Sequence, residues 1–334
     1  MKIEERKPFK ILCIDGGGIK GLYSAVVLDK LEKKFNCLLS DKFDLICGTS
    51  TGGILALAVA LKIPMYKAVE MYKKKGGLIF NEKFKRLPLA KYYLIFKQAC
   101  LGSKYNQKQL KKALKEVYGV KTMGDCCNLV CIPAFNVSTG KPTVFKRDYG
   151  TLCRDNNLNC VDVALATAAA PTYFPIHKIN NLKYADGGLW ANNPTMVGLT
   201  EYLFKVSKLN ELDYNEVEIL SISSFATPKG EVVNKLNRSF LNWRHTIFDT
   251  FPTGQSESEM LLLEQLTPHL NFNLKFERIQ NCMLAGGYSE LLEMDNASAK
   301  ALEELEAIGN QTADEAIVKP EIINFFKTDK TIVF

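Results

Sequence analysis

Histidine is scarce, with His177, His245 and His269 the only three in 334 residues. An imidazole base or a histidine-bearing ligand set therefore has few candidates. No C-x-x-C pair occurs either: Cys126, Cys127 and Cys131 cluster, but without that spacing or a nearby histidine they do not form a zinc pattern, and buried thiols are expected. Long apolar runs are missing too. The strongest, Ile54 to Leu61, has eight residues, against about 20 needed to span a bilayer. The first ten residues carry Lys2, Glu4, Glu5, Arg6 and Lys7 before any apolar run, which excludes the pattern of a secretory leader. With no leader, the ten cysteines point to a reducing, cytoplasmic setting rather than a disulfide framework. No repeat and no linker rich in Pro, Gly or Ser divides the chain, so residues 1–334 are expected to form one domain, and 47% hydrophobic content is enough for a large core.

One stretch is short of acids. Residues 62–121 hold 16 Lys and Arg against Glu70, Glu82 and Glu116. Such a surplus attracts phosphate-bearing partners and an anionic membrane surface, and it assigns no DNA or RNA duplex to the chain. Lysines stand among Tyr92, Tyr93, Leu94, Ile95 and Phe96, the mixture of cations and amphipathic aromatics found at membrane interfaces. The stretch is expected to be a basic helical cap inserted over the site, with Gly76-Gly77 as its hinge.

What is present in quantity is glycine at the ends of apolar runs. Phe9 to Ile14 is strand-like and leads through Asp15-Gly-Gly-Gly-Ile-Lys-Gly21 into the periodic stretch Leu22 to Leu31. Phe43 to Cys47 is the next strand, followed by Gly48-Thr49-Ser50-Thr51-Gly52 and the run from Ile54. Leu129 to Asn136 and Thr143 to Lys146 pair around Ser138-Thr-Gly-Lys-Pro142, Val161 to Ala170 is helical up to Pro171, and Leu182 to Ala185 precedes Asp186-Gly-Gly188. Val197 to Leu209 reads as helix, Val217 to Ser223 as strand, and everything from Ser239 to about Asp314 as mostly helical. Strands alternating with helices predict an α/β fold, a doubly wound, mostly parallel sheet flanked by helices, with both glycine loops at one edge.

Gly16 to Gly21 fits G-x-G-x-x-G, but the acid that a dinucleotide fold needs at the end of its second strand is replaced by Cys47 and the serine turn. Gly48 to Gly52 fits G-x-S-x-G, a strand-to-helix elbow that lifts a serine Oγ into the open at a helix start. Three glycines in a row, Gly16, Gly17 and Gly18, present bare N–H groups suited to a tetrahedral oxyanion. Lys20 adds charge at that loop, as a possible phosphate contact or as a solvated lysine. A serine–acid–histidine order would require His245 or His269, and neither stands in a glycine turn or at a strand end. Asp186, at a strand end before two glycines, is the better base, although an exposed aspartate with a pKa near 3.9 would be a weak one.

Together, Asp15-Gly-Gly-Gly-Ile-Lys-Gly21, Gly48-Thr-Ser-Thr-Gly52, Ala168-Ala-Ala-Pro-Thr-Tyr-Phe-Pro175 and Asp186-Gly-Gly-Leu-Trp-Ala-Asn-Asn-Pro194 closely resemble the patatin-like phospholipases, with weaker similarity through Gly254-Gln-Ser256 and Met294-Asp-Asn296. The resemblance implies a Ser50–Asp186 dyad, an oxyanion hole from Gly16, Gly17 and Gly18, no metal or cofactor, and hydrolysis of membrane phospholipids at the inner membrane face. Many relatives have arginine where this chain has Lys20, which lacks the planar fork for gripping phosphate. Compact bacterial members of the family include antiphage effectors switched on by cyclic oligonucleotides, so such an activator joins the expected partners, and a homo-oligomer is compatible. A soluble esterase or thioesterase, and a silent lipid- or nucleotide-binding protein, are the rival functions.

Overall fold

A computed structural model describes residues 8–85, 87, 89–204, 206, 214, 216–225, 237, 240–281 and 293–332. Its centre is an eight-stranded sheet. β1 (Phe9–Ile14), β2 (Leu45–Gly48), β3 (Leu129–Asn136), β7 (Glu216–Ile222) and β8 (Asn273–Ile279) form a parallel run in the order β3-β2-β1-β7-β8. β4 (Lys141–Lys146), β5 (His177–Ile179) and β6 (Leu182–Asp186) extend it beyond β3 with antiparallel pairings. The chain builds outward from β1 to β2 and β3, then returns to the opposite side of β1 for β7. That reversal leaves a crevice beyond the carboxyl ends of β1 and β7, the place where open α/β sheets bind ligands.

β1 is buried on both faces, as a central parallel strand must be. Leu12 and Ile14 join one core with α1 (Gly21–Phe35), α3 (Thr51–Ala60), α8 (Cys160–Thr167) and α11 (Ala299–Ala316). Phe9, Ile11 and Cys13 face the other core, under α9 (Thr195–Phe204) and Leu263 of α10 (Phe240–Leu266). Short α2 (Leu39–Lys42) and α12 (Pro320–Phe325) close the amino end of the sheet, where Asp44 accepts bonds from Lys10 N, Thr331 N and Ile332 N.

Two expectations are corrected. The stretch after Ser239 contains a strand, β8, in which Phe272, Leu274 and Phe276 alternate with Asn273, Lys275 and Glu277 at the period of two that marks strands. And Gly76 and Gly77 lie inside α4 (Met65–Ile79) rather than in a hinge loop: α4 packs Ala68, Met71 and Tyr72 into the core, and a Cβ on Gly76 would stand 2.9 Å from Ile19 Cδ1. α7 (Lys108–Tyr118) also buries Leu110, Ala113 and Leu114. Within residues 62–121, exposed apolar side chains concentrate instead between α5 (Glu82–Lys85) and the π-helical turn Lys97–Leu101 that follows α6 (Ala90–Phe96). That region is tied to the glycine loop through one short segment. Asp295 accepts from Lys104 Nζ at 2.5 Å and from Tyr105 Oη, while Met294 O accepts from Ile19 N at 2.9 Å.

Candidate active site

The elbow forms because two glycines allow it. A Cβ on Gly48 would collide with Gly52 O, and one on Gly52 with Ile14 O, so β2 can turn straight into α3 only with hydrogen at both positions. Ser50, between them, is held at φ 55 and ψ −122, a backbone conformation that L-residues rarely adopt. Its N–H donates to Thr167 Oγ1 at 3.0 Å, and that hydroxyl donates to Pro133 O at 2.5 Å. Thr49 Oγ1 donates to Ala191 O at 2.5 Å. The strain is thus pinned from three neighbouring elements.

Ser50 Oγ donates to Asp186 Oδ2 at 2.8 Å. Asp186 sits at the end of β6, where its own N–H donates to Ala169 O at 3.0 Å and its Oδ1 accepts from Gly188 N at 2.7 Å. Both oxygens therefore have one donor each, and the carboxylate is fully enclosed. Burial pushes its pKa up to about 6, against the opposing pull of the Gly188 N–H and the Ser50 hydroxyl. This revises the sequence reading of Asp186 as a weak base, since enclosure moves it toward the pH at which a base is most effective. No histidine replaces it among the described side chains: His177 is held between Gln107 Oε1 and Asp162 Oδ1, each at 3.1 Å, and His269 is exposed. The side chain of His245 lies outside the described residues.

The three glycines are not equivalent. Gly16 N–H donates to Asn192 O at 3.0 Å and so faces away from the serine, and Gly17 N–H donates to Thr51 Oγ1 at 3.1 Å. Gly18, at φ +62, has no acceptor for its N–H among the described residues and lines the same slot as Ser50. That slot is apolar, walled by Ile54, Phe80, Leu110, Tyr173 and Phe174, and measures about 50 Å³. Lys20 lies elsewhere: it lines a separate polar cavity of about 260 Å³ on the far side of the glycine loop, beside Asp15 and Arg278.

Thr167, Thr51 and Asn192 were not foreseen from the sequence. Thr167 is the one hydroxyl in the run Ala164-Leu-Ala-Thr-Ala168, an oddity that marks a buried polar group with a task. Nothing comparable flags the other two.

Comparison with known proteins gives one answer. A family model for patatin-like phospholipases matches residues 12–199. A cGAMP-activated phospholipase of Pseudomonas aeruginosa is 34% identical over 93% of this chain and 90% of its own length. One from Vibrio cholerae is 31% identical over 95% of this chain and 94% of its own. Among solved structures, human GIVD cytosolic phospholipase A2 aligns with 97% of this chain and 61% of its own, at 12% identity and a TM-score of 0.45.

Proposed function

Given that the chain belongs to the patatin-like phospholipase family, we propose that it hydrolyses acyl esters of membrane phospholipids with Ser50 as nucleophile and Asp186 as base. The observation that carries this reading is the direct Ser50–Asp186 bond of 2.8 Å at the end of an apolar slot. As Ser50 Oγ bonds to the ester carbonyl carbon, its proton passes to Asp186 Oδ2, and the carbonyl oxygen becomes an oxyanion facing Gly18 N–H and, once it leaves Thr51 Oγ1, Gly17 N–H. Collapse breaks the bond to the glycerol oxygen, which takes the proton from Asp186 and departs as lysolipid. Water then repeats the attack on the acyl-serine, giving up its proton to Asp186, which returns it to Ser50 as the fatty acid leaves. Losing one oxyanion donor typically costs about 10²–10³ in kcat, so release of the Gly17 N–H from Thr51 Oγ1 should matter for turnover.

Relatives named for activation by cGAMP support a switch of the same kind here, a cyclic oligonucleotide that raises turnover, as in antiphage signalling. The test is fatty-acid release from vesicles against pH, with and without cyclic GMP–AMP. Activity requires the carboxylate, so kcat/KM should rise through about pH 6 and level off above it. A half-rise near pH 4 would mean that Asp186 is not enclosed, and equal rates with and without nucleotide would remove the switch.

Membrane docking is assigned to the region from α5 to the π-helical turn. Leu89, Tyr92, Tyr93, Phe96 and Leu101 are exposed there, whereas Lys73 and Lys75 on α4 and Lys85 at the end of α5 are paired with Glu306, Glu116 and Asp295. Reversing those lysines would break the fold's own ion pairs. Changing Leu89, Tyr92 and Phe96 together to Ser avoids that. Vesicle hydrolysis should fall about 10- to 100-fold, since each apolar side chain contributes up to ~1.5–3 kcal/mol on leaving water. Hydrolysis of a short soluble ester should be spared, and an equal loss on both substrates would make the region structural.

A further inference from the structure

The polar cavity behind the glycine loop has no part in the hydrolytic steps, yet it occupies the crevice where the strand order reverses. Its walls come from the carboxyl ends of β1, β7 and β8 and from α10. Three features show a site kept open. First, Ser223 is 1% exposed and lines the cavity, and its Oγ has no hydrogen-bond partner among the described residues. Second, α10 carries Pro252 and Gly254 on this wall, the two residue types least favourable inside a helix. A Cβ on Gly254 would meet nothing within 4 Å among the described residues and its φ is not in the left-handed range, so neither packing nor backbone explains the glycine. Third, the wall is built rather than incidental: Arg278 bonds Asp15, Ser221 and Ser256 at once and is itself largely buried.

We propose that this cavity is the nucleotide site of the enzyme, a proposal that rests on the activation reading above. With Arg278 facing Asp15, the cavity offers the hydroxyls and amides of Ser224, Thr250, Thr253, Asn192 and Gln280 and the cation Lys20, alongside apolar Phe225, Pro252 and Met294 and the acid Glu257. Such groups suit base edges and ribose hydroxyls, with one positive charge for a phosphate. The volume of about 260 Å³ is near the lower limit of the ~300–1,000 Å³ usual for small-molecule sites. The occupant would touch the loop that makes the oxyanion hole. Ser224 Oγ donates to Gly16 O, and a Cβ on Gly17 would reach Ser224 at 2.5 Å. Displacing Ser224 therefore moves the Gly16–Gly17 peptides against Ser50 and Thr51 on the other side, and frees the Gly17 N–H for the ester.

Calorimetric titration with cyclic GMP–AMP tests this. Gly254→Ala should bind as the wild type does and melt at a higher temperature. Gly254→Trp fills the cavity and should bind about 100-fold more weakly or worse, with cooperative unfolding retained and vesicle hydrolysis no longer responsive. Exposed Glu257 at the mouth opposes phosphate, so Glu257→Lys should tighten binding several-fold, with the gain shrinking as salt rises. If both the Trp and Lys variants bind with wild-type affinity, the nucleotide sits elsewhere and the location is wrong while activation stands. If the wild type binds no nucleotide and is not stimulated by it, the activation reading falls and takes the site with it.

Discussion

Ser50→Ala is expected to lower kcat on phospholipid about 10⁶-fold, the scale seen when a serine hydrolase loses its nucleophile. The protein should remain folded, because Ala fits wherever Ser does, but it should not be unchanged. Asp186 Oδ2 loses its donor, and an unsatisfied buried acceptor costs about 1–3 kcal/mol. The Ser50 hydroxyl also holds the Asp186 pKa down, so the variant's carboxylate should titrate above the wild-type value of about 6. Ser50→Gly should be equally inactive yet more stable than Ser50→Ala by about 1 kcal/mol, since φ 55 is strained for alanine and not for glycine. Labelling by a fluorophosphonate, followed by mass spectrometry, should modify Ser50 in the wild type and nothing in either variant. Turnover in Ser50→Ala above a hundredth of the wild-type rate would end the assignment.

Asp186→Asn should cost about 10⁴ in kcat, because the amide fills the same space and cannot accept the serine proton. Its second effect runs the other way. The folded-state pKa of Asp186, about 6, lies above the ordinary value of 3.8, so the native state holds its proton more tightly than the unfolded chain does. No penalty applies below about pH 3.8; it grows as pH rises toward 6 and is constant above, at about 3 kcal/mol for two units. Asparagine carries no charge to enclose, so the variant should be more stable than the wild type by about 2–3 kcal/mol at pH 8, a difference that disappears at pH 4. Denaturant melts at the two pH values measure this directly. His177→Ala, His245→Ala and His269→Ala should each keep most of the activity. A folded histidine variant as inactive as Ser50→Ala would replace the dyad with a triad.

The elbow at Ser50 and the strand-end turn at Asp186 were legible because each is specified by its immediate neighbours: glycines two positions either side of Ser50, and two after Asp186. What depends on distant chain was not. Burial is a property of the whole fold, so nothing in the sequence signalled that enclosure raises the Asp186 pKa from its ordinary value to about 6. The basic stretch looked uniformly exposed because Glu306 and Asp295, which neutralise Lys73, Lys85 and Lys104, lie some 200 residues away. Gly76-Gly77 suggested a hinge, since glycine needed for the close approach of Ile19 and glycine needed for bending are the same letter. β8 was the avoidable omission, because its alternation of apolar and polar residues was plain.

The bond between Ser50 and Asp186 spans 136 positions of chain, and it closes only when β6 has joined β3 at one side of a sheet whose centre is β1. A ribosome adding about 5–20 residues per second takes roughly 7–27 s to travel from Ser50 to Asp186. Throughout that interval the emerging polypeptide bears an elbow serine with no proton acceptor. On the proposed dyad, competence to cut lipid arrives late and all at once, and truncated or stalled products that end before Asp186 are expected to leave the bilayers around them intact.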